Sequence, residues 1–141
     1  MVVNLMNLTI KSANELLGLP RQNKMTMYVF AFDVDGTLIT NDDPKRQNGV
    51  VSSNETEHVD IVYLLKILSK CFKNITIVVW SGGGEQYART IGCRLGIDQY
   101  VDKFMSKIDY KLLCDKYNVI AIDDIQDTAL GNVANLIVKM K

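Results

Sequence analysis

Two unbroken apolar runs constrain this chain more than any other feature. Tyr28–Phe32 (YVFAF) and Ile75–Trp80 (ITIVVW) are aromatic and β-branched without polar alternation, the pattern of strands buried on both faces. Such strands need a covering layer on each side. Helical stretches supply it. His58–Phe72 sets Val59, Val62, Leu65 and Ile67-Leu68 near 3.6-residue spacing, one apolar face to lay on a sheet. A second helix is predicted over Glu85–Leu95 and a third over Tyr110–Tyr117. A weak strand near Tyr100–Met105, a strong one at Val119–Ile122 and a last one at Leu136–Val138 complete an alternation of strand, loop and helix. That alternation implies a mostly parallel sheet between helices, an α/β fold of three layers, αβα.

The chain has 141 residues, 48% of them hydrophobic, enough for one domain with a core of its own. We place that domain at 28–141 and treat 1–27 as an extension; within it Ser12–Leu17 reads as a short capped helix that Gly18 and Pro20 end. Asn41–Glu57 carries Pro44, Gly49 and Ser52-Ser53-Asn54 and reads as a loop.

Lys+Arg and Asp+Glu balance at 16 each, so the basic field of a non-specific nucleic-acid binder is missing, while a local patch stays open. Cys71, Cys93 and Cys114 are widely spaced, in apolar or helical surroundings and not in a CxxC pair. They read as reduced core thiols of a cytosolic protein. No apolar run approaches the ~20 residues of a membrane-spanning helix, and the N-terminus lacks a charged region followed by an apolar one. The expectation is a soluble, cytoplasmic protein without a membrane partner.

Parallel sheets flanked by helices take ligands beyond the carboxyl ends of their strands. The polar residues fall at those places: Asp33 and Asp35 after the first strand, Ser81 with Gly82, Gly83 and Gly84 after the second, Lys103 and Lys107 near the third, and Asp123, Asp124 and Asp127 after the fourth. Carboxylates two residues apart on an extended segment face one side, so one can act at a reacting centre while the other handles a proton. Crowded carboxylates repel unless a hard cation sits among them, and oxygen-only donors suit Mg²⁺. Ser81 and the backbone N–H groups of the glycines can cradle phosphoryl oxygens.

Taken in order, Asp33-Val34-Asp35-Gly36-Thr37, an apolar strand ending at Ser81, Lys107, then Asp123-Asp124 resemble the haloacid dehalogenase-like (HAD) hydrolase superfamily, from Tyr28 to the C-terminus. The resemblance implies a Rossmann-like three-layer core and a Mg²⁺-dependent phosphatase working through an aspartyl-phosphate. It implies Asp33 as nucleophile, Asp35 as general acid and base, and Thr37 as a support of the loop. Ser81, Gly82 and Gly83 would hold the phosphoryl group, and a lysine would neutralise developing charge. That lysine is placed at Lys107, with Lys103 as the alternative. The metal would be held by the Asp33 carboxylate, the backbone carbonyl of Asp35 and an acid of the last motif, either Asp123 or Asp124.

Plainer readings stand beside these. Asp33–Thr37 could form an ordinary turn, Ser81 and its glycines could cap a helix, and Asp123 or Asp124 could do the same. Asp127 reads as such a cap, His58 as a surface residue and Trp80 as core.

In the family, substrate choice comes from cap insertions. Neither Asn41–Glu57 nor the segment between Lys107 and Asp123 has room for a folded cap, so the core should carry no substantial cap domain and an open site. Small phosphate esters and accessible macromolecular phosphates both fit, and a second copy in a homo-oligomer could supply a lid. Nucleic-acid 3′-phosphate ends are admitted but not favoured, because glycines stand where capless 3′-phosphatases commonly carry an arginine. The rival to an enzyme is a phosphate- or Mg²⁺-binding regulatory or scaffold module without turnover.

Overall fold

The computed structural model describes residues 26–40 and 57–124 and the backbone of 134–137. The predicted helix at Ser12–Leu17, nearly all of the Asn41–Glu57 loop, and Asp127 lie outside these residues, as does most of the 1–27 extension.

Five parallel strands form one sheet in the order β3-β2-β1-β4-β5. They are β1 (Tyr28–Asp33), β2 (Ile75–Ser81), β3 (Lys103–Ser106), β4 (Asn118–Asp123) and β5 (Ala134–Ile137). The predicted α/β architecture of helices around a parallel sheet is what the chain adopts. All six residues of β1 are buried, as expected of the central strand of a covered sheet.

Strand alternation divides the core in two. Tyr28, Phe30, Phe32, Ile75, Ile77, Val79, Ile120 and Ile122 face one side, where α1 (Val59–Cys71) and α2 (Glu85–Arg94) cover them. Val29, Ala31, Val78, Trp80, Val119 and Ala121 face the other side and meet Leu113 of the short α3 (Lys111–Cys114). Gly92 lets α2 lie close on β3, because a Cβ there would overlap the Phe104 ring.

Some details depart from the sequence reading. The buried stripe of α1 is Ile61, Val62, Leu65 and Leu68, while Val59 is 66% exposed. At roughly 100° per residue Val59 lies on the side opposite Leu68, so the stripe begins at Ile61. The third strand starts later than predicted: Asp98–Tyr100 forms a 3₁₀ turn. Asp102 then fixes the start of β3, its backbone N–H donating to Ile77 O at 2.9 Å and its carboxylate accepting from Ile77 N–H at 2.8 Å. The predicted third helix, Tyr110–Tyr117, is shortened to the four residues of α3, and a 3₁₀ turn at Lys107–Asp109 precedes it. The cysteines are free, but none is fully buried: Cys93 is exposed, and Cys71 and Cys114, the last residues of α1 and α3, are half-buried, Cys114 against the Trp80 side of the core. No helix among the described residues is long and apolar enough to cross a membrane.

Candidate active site

Register brings the acids together. Phe32 is abreast of Ile122, so the next residues, Asp33 and Asp123, end adjacent strands side by side. Both project to the face that holds Trp80, which pairs with Asp33 across β1 and β2. Asp33, Asp123 and Asp124 each present a carboxylate oxygen within 4.8 Å of the others. Gly36 makes room for the third: its φ of +83° suits a residue without a Cβ, and a Cβ there would run into the Asp124 carboxylate.

Among the described residues, one cation serves this cluster. Lys107, in the 3₁₀ turn just past β3, places Nζ 2.8 Å from Asp33 Oδ1 and 2.9 Å from Asp123 Oδ2. The side chains of Lys107, Asp33 and Asp123 are only 15%, 10% and 2% exposed, so solvent screens these contacts weakly. Lys103 lies at the opposite end of β3, exposed, and the strand itself separates the two candidate lysines.

Burial drives the titration of the site. Asp33 is pushed up to about 7, first by burial and then by the charges of Asp123 and Asp124, against the pull of Lys107. Asp124 rises to about 6, again through burial first and then through its hydrogen bond and repulsion with Asp123. Burial works against the Lys107 ammonium, but Asp33 and Asp123 outweigh it and hold the lysine above its ordinary value. Among the described residues, one ammonium beside three crowded carboxylates leaves an excess of negative charge, which a divalent cation would match. The donor set is all oxygen, as a hard cation prefers. These three aspartates could therefore hold a metal ion.

Asp35 is not part of that carboxylate group. It is half-buried in the turn after β1, where Gly36 N–H donates to Ile39 O at 2.9 Å. Its Oδ1 accepts a hydrogen bond of 2.6 Å from the Tyr87 hydroxyl on α2. Thr37 is fully buried and its hydroxyl donates to Asp33 Oδ2 over a long 3.4 Å. Ser81 ends β2 buried, and its Oγ accepts from Gly83 N–H at 3.0 Å. That contact folds the glycine turn back on the serine and takes up one of the N–H groups expected to face a phosphate. Gly82 lies exposed at the tip of the turn.

Two residues joined to this region were not linked to it by the sequence reading. Tyr87 falls in the apolar stripe of α2 with Ala88 and Ile91, so nothing in its spacing marks the hydroxyl. His58 is half-buried rather than a plain surface residue, and its Nδ1 lies 2.9 Å from Thr37 O. Its backbone N–H also donates to Leu38 O at 2.8 Å, tying the start of α1 to the loop that carries Asp33 and Asp35. A bond to a carbonyl 21 positions away leaves no sequence signal.

No protein-family model and no curated protein matches this chain. Among solved structures it resembles one chain of the Pnkp1/Rnl/Hen1 complex, with a TM-score of 0.62 over 84% of this chain at 17% identity. This chain spans 48%, about half, of the length of that one. At such low identity the likeness establishes a shared parallel α/β fold.

Proposed function

We propose that this chain is a Mg²⁺-dependent phosphomonoesterase of the haloacid dehalogenase-like kind, acting through a phosphoryl group carried on Asp33. The observation that carries the reading is the meeting of three strand tips at one point. Lys107 spans Asp33 and Asp123 at 2.8 and 2.9 Å, and Asp124 completes a set of oxygens within 4.8 Å. A cation held there by Asp33, the backbone carbonyl of Asp35, Asp123 and Asp124 would supply charge neutralisation for an incoming phosphate.

The residues divide the work. Asp33 attacks phosphorus, since a carboxylate can form and then lose a bond to a phosphoryl group. Lys107 offsets the negative charge that gathers on the nucleophile and the phosphoryl oxygens. Asp35 gives a proton to the leaving oxygen and later takes one from water. Thr37 holds the Asp33 carboxylate from behind, while Ser81, Gly82 and Gly83 bind the phosphoryl group once the Ser81–Gly83 contact opens toward it. The substrate class is a phosphate monoester, either a small molecule or an accessible phosphate on a macromolecule, nucleic-acid 3′ ends included.

The test is a panel of phosphate esters assayed with and without Mg²⁺, alongside Asp33→Asn. The reading expects phosphate release that needs the metal and disappears in the variant. Absence of release from every ester, or equal release by Asp33→Asn, refutes it. A single burst without turnover would instead indicate a module that accepts a phosphoryl group and keeps it.

A further inference from the structure

We infer that His58 is a positioning residue for the nucleophile, holding Asp33 in place through Thr37. The inference rests on the phosphohydrolase reading and adds to it a residue from outside the strand tips. His58 occupies the N-cap of α1 with extended backbone (φ −87°, ψ 95°), yet its side chain makes no capping hydrogen bond. Asn, Asp, Ser or Thr would serve a helix start better. The ring is turned instead to the loop after β1, where Nδ1 lies 2.9 Å from Thr37 O. A carbonyl oxygen only accepts, so Nδ1 carries the hydrogen and donates it.

That bond meets a need of the loop. Thr37 is fully buried, and among the described residues the imidazole is the partner its carbonyl has. A buried carbonyl left without a donor is costly. The neighbouring carbonyls are served by backbone instead. Leu38 O accepts from His58 N–H at 2.8 Å, Ile39 O from Gly36 N–H at 2.9 Å, and Val34 O from Leu38 N–H at 3.0 Å. Position 37 is thus the place in this loop where a side chain from another element sets the direction of a peptide.

The effect reaches Asp33. Thr37 turns its hydroxyl to Asp33 Oδ2 at 3.4 Å, while Lys107 holds Oδ1 at 2.8 Å. Each oxygen of the nucleophile therefore has its own partner, and the partner of Oδ2 is anchored on α1 through His58. The hydroxyl contact is long, so a small shift of the Thr37 peptide breaks it and lets the carboxylate turn. A nucleophile held in one orientation is aligned for attack on phosphorus more of the time, and a misplacement of about 1 Å costs on the order of 100-fold in rate. Ser81 ends β2 and Lys107 follows β3, so binding of the phosphoryl group does not pass through His58.

Two substitutions separate the donor from the bulk of the ring. His58→Leu fills the space without a donor, and His58→Asn places an N–H as many bonds from Cα as Nδ1 is. Both are compared with wild type on 4-nitrophenyl phosphate at saturating Mg²⁺. The expected result for His58→Leu is a fall in kcat of about tenfold with KM changed less than about twofold, and for His58→Asn a recovery to at least about a third of the wild-type kcat. A His58→Leu protein with lowered Tm and wild-type kcat would show that the imidazole only ties the fold together, which overturns the inference. A loss falling mainly on KM, or His58→Asn no better than His58→Leu, overturns it as well. Wild type inactive on this ester and on the rest of the panel refutes the phosphohydrolase reading itself, and is recognised before any variant is measured.

A spectroscopic reading needs neither activity nor a variant. The chain has a single histidine, so ¹⁵N-labelled histidine in the untagged protein reports one imidazole. At pH 9 the neutral ring should carry its hydrogen on Nδ1, the tautomer that free histidine favours less. Hydrogen on Nε2 would remove the bond to Thr37 and the inference with it.

Discussion

Lys107→Met removes the ammonium that bridges Asp33 and Asp123 and keeps most of the side chain's bulk. Two unit charges about 3 Å apart attract by roughly 5 kcal/mol at an effective dielectric near 20. Part of that is offset because the buried ammonium no longer has to be desolvated, so breaking a buried pair costs about 3–5 kcal/mol. Lys107 serves Asp33 and Asp123 together, but the losses do not add. Asp33 already titrates near 7, and without the lysine it takes up a proton more readily. We therefore expect a metal-free loss of about 3 kcal/mol near pH 8 and about 1 kcal/mol near pH 5, where the acid is already neutral. For a chain of this size that is a fall in Tm of roughly 10 °C and 3 °C respectively. The assay is thermal unfolding by circular dichroism in chelator at the two pH values, repeated with Mg²⁺, which should restore part of the loss at the higher pH. Equal losses at both pH values would show that Lys107 acts by packing and not by charge, and no loss at the higher pH would refute the ion-pair argument.

Other outcomes follow from the same geometry. Asp33 at about 7 and Asp124 at about 6 both lie above the ordinary carboxylate value of 3.8. Their stabilising contribution is therefore complete below about pH 4 and is lost as pH rises through 6 and 7. The metal-free Tm should fall across that window, the fall should flatten in Asp33→Asn, and saturating Mg²⁺ should reverse it. A metal-free Tm that rises from about pH 5 to 8 and is unaltered by the substitution contradicts this. Gly36→Ala forces a side chain into a φ of +83° and against the Asp124 carboxylate. It should cost about 1–3 kcal/mol and weaken Mg²⁺ binding, as read by calorimetry; unchanged metal affinity would remove Asp124 from the proposed ligand set.

How much of this was legible in the sequence depends on how local each signal is. β1 and β2 were readable because a strand covered on both faces has no polar position to confuse its pattern. The ends of the short edge strand β3 were not, because Asp102 rather than an apolar residue sets where it begins. Val59 was misplaced because an apolar residue at a helix start fits two overlapping stripes, and only the sheet decides which is buried. The acids of the site stood out because they follow strands directly, and parallel register then brings the tips of β1 and β4 abreast. The contacts of Tyr87 and His58 could not be read, since they join elements 52 and 21 positions apart.

The central claim is that Asp33 accepts a phosphoryl group with metal bound by its neighbours. The direct measurement is incubation with acetyl phosphate with and without Mg²⁺, an acid quench, and mass spectrometry of the digested chain. The account predicts a Mg²⁺-dependent, hydroxylamine-labile phosphate on the peptide carrying Asp33, absent from Asp33→Asn. Phosphate found instead on Ser81, or on Asp33 to the same extent without the metal, would contradict it.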